Sequence, residues 1–168
     1  MIKIYDDWTC DELERLTSLV KENGFKYEIS DTVVEDIKSF AHPIQSRIEN
    51  SEGIPNPQSH LYHFILKIIY RFCFDNDIDF DVVCRSVINY SHPAKDSHYP
   101  KHTDHPYDHK LLLFYLNDTD GDTIFHHGLE REIVSPQKGR VVVADGSVEH
   151  STIAPQTKER IVLVATVA

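Results

Sequence analysis

A mainly β domain with helical support at its N-terminal end is what this chain predicts, and three observations carry the prediction. Before about residue 79, apolar residues recur at helical spacing. From Asp79 onward they form short β-branched and aromatic runs set off by Gly, Pro, Asn and Asp. The 168 residues suffice for one domain with a sizeable core, and no linker, repeat or low-complexity tract divides them. Helices followed by at least six strands suggest a β-sandwich or jelly roll with the helices packed on one sheet. The expectation is a single domain over 1–168, with helical support over about 1–78 and a jelly-roll core over about 79–168.

Taken in order, Thr9 or Asp11 can cap a first helix that runs to about Asn23 and is stopped by Gly24. Leu13, Leu16, Leu19 and Val20 share one face of it. A second helix is expected near Val34–Asn50, where Pro43 must break, kink or restart it. Gln58–Phe74 is the strongest helix, because Leu61, Phe64, Ile65, Ile68, Ile69 and Phe72 recur three and four apart as core residues do. Strands are expected at Phe80–Tyr90, Lys110–Asn117, Asp122–His126, Glu130–Val134, Arg140–Asp145 and Arg160–Val167. Pro136-Gln137-Lys138-Gly139 and Asp145-Gly146 supply turns between them.

Composition narrows the classes of function. Seventeen Lys and Arg face 27 Asp and Glu, a formal net charge of −10, which argues against a surface built for nucleic acid or an anionic membrane. The most apolar run, Phe64–Tyr70, contains Lys67 and is far too short to span a bilayer. The opening MIKIYDDWTCDELER has neither the basic start nor the apolar run of a secretory signal. Cys10, Cys73 and Cys84 are odd in number and lack metal-motif spacing, so free thiols in a reducing compartment are expected. A soluble cytoplasmic protein is the default expectation.

One constellation points to chemistry. His102 and Asp104 are two apart, so on a strand their side chains leave the same side of the backbone. His150 lies 46 residues beyond Asp104 and requires a fold that returns a distant strand to the first. Two imidazoles and one carboxylate can hold one face of a ferrous ion and leave the other open to substrate and oxygen. Arg160, ten residues further on, is suitably placed to grip a carboxylate with its fixed fork of donors. The 11 histidines make any single one weak evidence. A helical zinc cluster of His98, His102, His105 and His109 is disfavoured by Pro93, Pro100 and Pro106 in the same stretch. His60, His63, His126 and His127 read as surface or pocket-lining residues.

The full order is more specific than its parts. The His-x-Asp pair is followed by LLLFYLND (111–118), DGDTIFHH (120–127), SPQKGRVVVADG (135–146), EHS (149–151) and KERIVLVATVA (158–168). This series resembles the iron(II)- and 2-oxoglutarate-dependent dioxygenase superfamily, in its prolyl 4-hydroxylase-like branch. The likeness runs from about Asp79 to the end, and IKIYDDWTCDELERL (2–16) is similar to that branch's strand-then-helix opening. The resemblance implies a double-stranded β-helix and a metal triad of His102, Asp104 and His150. It also implies that Arg160 clamps the far carboxylate of 2-oxoglutarate. Tyr115 matches a position whose hydroxyl often reaches that carboxylate, Tyr90 one that commonly lines the cosubstrate pocket, and Tyr99 one near the site in some members.

The implied reaction is hydroxylation of a C–H bond, in a peptidyl proline or another small or protein-borne substrate. It consumes O2 and 2-oxoglutarate with Fe(II), releases succinate and CO2, and has ascorbate as a candidate reductant. Asn89, His92 and Thr152 are candidate supporting partners. The loops Ser91–Tyr99 and His105–His109 are expected to border the mouth and to favour a polar substrate. The chain departs from the branch in two places. It has Asp120-Gly121-Asp122-Thr123 where the branch usually has Gly-Gly before an acidic residue and threonine, and Val162 where some members carry Ser or Thr. Related halogenases have Ala or Gly at the carboxylate position, so Asp104 points to hydroxylation. Two other classes compete: a non-catalytic metal- or ligand-binding jelly roll, and a cupin-type metalloenzyme that does not use 2-oxoglutarate.

Overall fold

The computed structural model describes residues 1–29, 39–95 and 97–168. Ten strands and two α-helices follow in chain order: β1 Ile2–Tyr5, α1 Asp11–Leu19, β2 Glu28–Ile29, β3 Ser39–Gln45, α2 Tyr62–Asp75, β4 Val83–Ser91, β5 Lys110–Tyr115, β6 Thr123–His127, β7 Glu130–Val134, β8 Val141–Asp145, β9 Glu149–Thr152 and β10 Arg160–Val167. Seven strands form one antiparallel sheet in the order β1-β8-β5-β10-β4-β3-β2, and three form a second in the order β7-β6-β9. The two sheets and the helices on one of them make up the expected jelly-roll architecture.

Period-two alternation decides what each face of the large sheet meets. On β10, Ile161, Leu163 and Ala165 join Leu112, Phe114, Val141 and Val143 under the helices, against Leu13, Leu16, Ile65, Ile68, Ile69 and Phe72. The intervening Val162 and Val164 face the other way and pack with Val87, Leu113, Tyr115 and Phe125 between the sheets. Every residue of β10 is buried, as suits a central strand covered on both faces. Arg160 has the parity of Val162, so its side chain is committed to the space between the sheets.

The helices form where periodicity places them. In α2, Ile65, Ile68, Ile69, Phe72 and Cys73 are buried in one stripe. The Ser59 hydroxyl accepts the Leu61 N–H at 3.1 Å just ahead of it. The helix ends as Asp77 turns left-handed at φ 52° and the Ile78 N–H returns to the Cys73 carbonyl at 2.9 Å. Phe72 is the keystone of the contact, with ring centroids 5.2 Å from Tyr5, 5.0 Å from Trp8 and 5.3 Å from Phe114. Phe72→Ala should therefore destabilise the fold by about 3–5 kcal/mol, read as a shift in the denaturant midpoint.

The expected helix near Val34–Asn50 is corrected. Its first residues, through 38, lie outside the described ones; Ser39–Gln45 is a strand, and only Ile48–Ser51 turns, as a short 3-10 helix. Pro43 is accommodated beyond the two-residue β2 and beside a bulge between Pro43 and Gln45, places where a strand tolerates a missing N–H. Four-residue β9 is absent from the strands located by residue pattern, although His150 called for a strand returning there. All three cysteines are free, with Cys73 and Cys84 buried. No helix among the described residues is long and apolar enough to cross a membrane. The departing turn at Gly121 is built for glycine: φ is +108°, and a Cβ there would stand 3.0 Å from the Pro155 nitrogen.

Candidate metal centre and its cleft

His102, Asp104 and His150 converge, each offering a ligand atom within 4.8 Å of the others. The route differs from the one expected. His102 and Asp104 lie on a loop pinned to β9 by an isolated bridge. In it the His102 N–H donates to the His150 carbonyl at 3.0 Å and the His150 N–H returns to the His102 carbonyl at 2.9 Å. This pair of backbone bonds sets the two rings side by side, centroids 4.5 Å apart.

The protonation pattern suits a cation. His102 Nδ1 lies 3.1 Å from the Pro100 carbonyl, to which it can only donate, and this leaves the Nε2 lone pair free. His150 is 8% exposed, and burial pushes its imidazole down to about 4 despite the opposing pull of Asp104, so it is neutral at physiological pH. Burial alone would raise the Asp104 carboxyl, but His150, Arg85, His102 and Arg47 together hold it below its ordinary value. Asp104 Oδ1 accepts from Arg85 Nη1 at 3.0 Å, whereas buried Oδ2, 3.6 Å from His150 Nε2, has no hydrogen-bond partner among the described residues. An unpartnered buried carboxylate oxygen between two imidazoles is costly without a cation, and this donor set fits a divalent metal.

The triad lines a cleft of about 300 Å³ between the sheets. On the same lining, 5% exposed, is Arg160. Its Nη2 donates to Thr123 Oγ1 at 3.0 Å, its guanidinium lies 5.4 Å over the Tyr115 ring, and its buried Nε has no partner among the described residues. Among the described residues no carboxylate pairs with it. Tyr115 joins through its hydroxyl, 2.7 Å from the same Thr123 oxygen. Tyr99 reaches the cleft from the mouth loop and donates to Ser91 Oγ at 3.2 Å. Asn89 and Thr152 also line it.

Tyr90 is not brought to the cleft, which corrects the expectation for it. It shares the parity of buried Ile88, so it faces the helix side and packs 5.0 Å from Tyr27 and 5.0 Å from His92. His92 leaves with it. The opposite parity, shared by Arg85, Val87, Asn89 and Ser91, faces the cleft, and counting along β4 from Ile88 reveals it. Sequence reasoning passed over Arg85, and also Arg47 and Thr123. Arg47 carried no signal, because it follows β3, a strand read as helix.

No protein-family model matches the chain, and no curated protein matches it by sequence. Solved structures do match. A 2OG-Fe(II) oxygenase family oxidoreductase from Burkholderia pseudomallei superposes with a TM-score of 0.75 at 20% identity, over 98% of this chain and 82% of that one. A prolyl-4-hydroxylase from Pseudomonas putida gives 0.70 at 12% identity, over 99% and 91%. HygX from Streptomyces hygroscopicus, solved with nickel, 2-oxoglutarate and hygromycin B bound, gives 0.66 at 11% identity, over 98% and 81%. At such identities the likeness is one of fold: the chain has the architecture of the 2OG-Fe(II) oxygenases and prolyl hydroxylases.

Proposed function

We propose that the protein is an Fe(II)- and 2-oxoglutarate-dependent dioxygenase that hydroxylates a C–H bond. The observation that carries this reading is Arg160. A guanidinium buried without a counter-ion is strongly disfavoured unless an anion joins it, and this one lies in the same cleft as a complete two-histidine, one-carboxylate donor set. A metal site retained for stability alone would have no use for it. His102 Nε2, Asp104 Oδ2 and His150 would hold the iron, which when bound supplies the activation of O2 coupled to oxidative decarboxylation of 2-oxoglutarate.

The chain's own groups bind and orient. Arg160 presents paired donors to the far carboxylate of 2-oxoglutarate, and Tyr115 and Thr123 fix the fork by their shared hydrogen bonds. The apolar wall of Leu113, Val162 and Val164 keeps that end dry, which strengthens the ion pair. Arg85 holds Asp104 Oδ1, so the carboxylate turns its other oxygen toward the imidazoles. Tyr99 stands at the mouth. The neighbours named above include a prolyl-4-hydroxylase and a protein solved with hygromycin B bound, and the reacting molecule here is a small or peptide-borne one. Purified protein with Fe(II), 2-oxoglutarate and O2, ascorbate as reductant, should convert 2-oxoglutarate to succinate, slowly alone and faster with a substrate. No succinate under any of these conditions, from protein that binds neither metal nor 2-oxoglutarate, would sink the proposal.

A further inference from the structure

Arg47 and Arg85 carry more donors than their contacts with Asp104 use. Arg85 Nη1 lies 3.0 Å from Asp104 Oδ1, and Arg47 Nη2 lies 3.7 Å from that same oxygen. Arg47 Nη1 also donates to the Asp104 backbone carbonyl. Two guanidiniums thus share one carboxylate oxygen, although each carries five N–H donors. Their side chains remain 33% and 26% exposed, and both line the cleft. Glu49, which also acts on Arg85, is taken by His105 Nδ1 at 2.5 Å.

Charge makes the excess plain. The cleft is lined by Arg47, Arg85 and Arg160 against Asp104 alone, in a chain whose formal net charge is −10. Adding a metal dication and the 2-oxoglutarate dianion leaves that balance unchanged, because the two cancel. Arg160 is occupied by the far carboxylate, so Arg47 and Arg85 have only Asp104, itself proposed as a metal ligand, to answer two positive charges in the cleft. Like charges this close repel, and one shared carboxylate oxygen offsets only part of that repulsion.

We propose that Arg47 and Arg85 form the substrate's anchoring subsite and that the substrate is a small molecule bearing an oxyanion group, a carboxylate or a phosphate. This deepens the dioxygenase reading and rests on it for the word substrate; the anion site itself rests only on the two arginines. The cleft of about 300 Å³ holds a small molecule beside 2-oxoglutarate and little more. Gripping the acidic group next to Asp104 would fix the neighbouring carbons of the substrate against the metal.

The test titrates inorganic phosphate, propionate and uncharged propionamide into the Zn(II)-loaded protein with saturating 2-oxoglutarate, and into the metal-free protein, followed by NMR shifts. Phosphate and propionate should bind and propionamide should not. Arg85→Gln and Arg47→Gln should each weaken the anions about 10-fold or more, while Arg85→Lys, which keeps the charge, retains most of the phosphate binding. Affinity for 2-oxoglutarate should be unchanged in Arg47→Gln, which leaves the Arg85 hold on Asp104 in place. Anion binding indifferent to both arginines, equal binding of propionamide, or loss of 2-oxoglutarate affinity instead of anion affinity would each overturn the proposal. If neither metal nor 2-oxoglutarate binds, the dioxygenase reading fails by itself, and the arginine-dependent part of the metal-free titration still decides the anion site.

Discussion

His150→Ala is expected to lower Fe(II) affinity at least about 100-fold and to abolish succinate formation, while the protein stays folded. Loss of a supporting partner alone typically costs 10–100-fold in metal affinity, and His150 is proposed as a ligand. The fold should survive because the bridge to His102 is made by backbone atoms, which alanine keeps. The metal-free protein offers an independent check. His150 sits at about 4 instead of its ordinary 6.5, so between those values the unfolded chain takes up a proton that the folded one refuses. Stability from this group is therefore full above about pH 6.5 and is lost as pH falls toward 4, by on the order of 3 kcal/mol. His150→Ala should flatten that part of the profile. Wild-type metal affinity in the variant would remove His150 from the site, whatever its effect on turnover.

What the sequence made visible here, and what it hid, follows from how locally each signal is written. The pair His102 and Asp104 stands out by its spacing, and β10 by the apolar run Ile161–Ala165 that follows Arg160. Helix α2 announces itself through six apolar residues at one spacing. β9 does not, because its four residues EHST carry no apolar alternation and are held by pairing with β6 and with the His102 loop. The strand expected to carry the metal pair proved to be a loop that earns its register from one bridge. β3 was hidden by Pro43, whose cost in a strand vanishes beside a bulge and beyond a two-residue neighbour.

Tyr90 and Arg85 show a different limit, one of method and not of information. Both lie on β4, and period two sends them to opposite faces. Tyr90 drew notice by its residue type and its place before the metal pair, yet Ile88 commits that parity to the helix side. The same count puts Arg85 in the cleft beside Asp104. Arg47 was beyond any such count. It reaches Asp104 across 57 positions of chain, from a loop whose path depends on β3 joining the sheet.

Arg160→Ala is expected to raise the 2-oxoglutarate concentration needed for half-maximal succinate formation by about 10²–10³-fold while leaving Fe(II) affinity within a few-fold of wild type. Truncating one partner of a buried, hydrogen-bonded charge pair costs about 2–5 kcal/mol, which brackets that range. The metal is spared because Arg160 shares no hydrogen bond with His102, Asp104 or His150; among the described residues its guanidinium bonds to Thr123 alone. Stability should hold or rise, since the variant removes a buried cation that lacks a carboxylate. Arg160→Lys should recover only part of the affinity, because an ammonium keeps the charge and loses the paired donors that Thr123 and Tyr115 hold in register. The outcome separates the three classes of function. A dioxygenase loses its cosubstrate and keeps its metal, a cupin-type enzyme that makes no use of 2-oxoglutarate keeps its full activity, and a binding-only jelly roll forms no succinate before or after the substitution. An unchanged 2-oxoglutarate requirement in an active Arg160→Ala protein would thus dispose of the clamp and of the reading built on it.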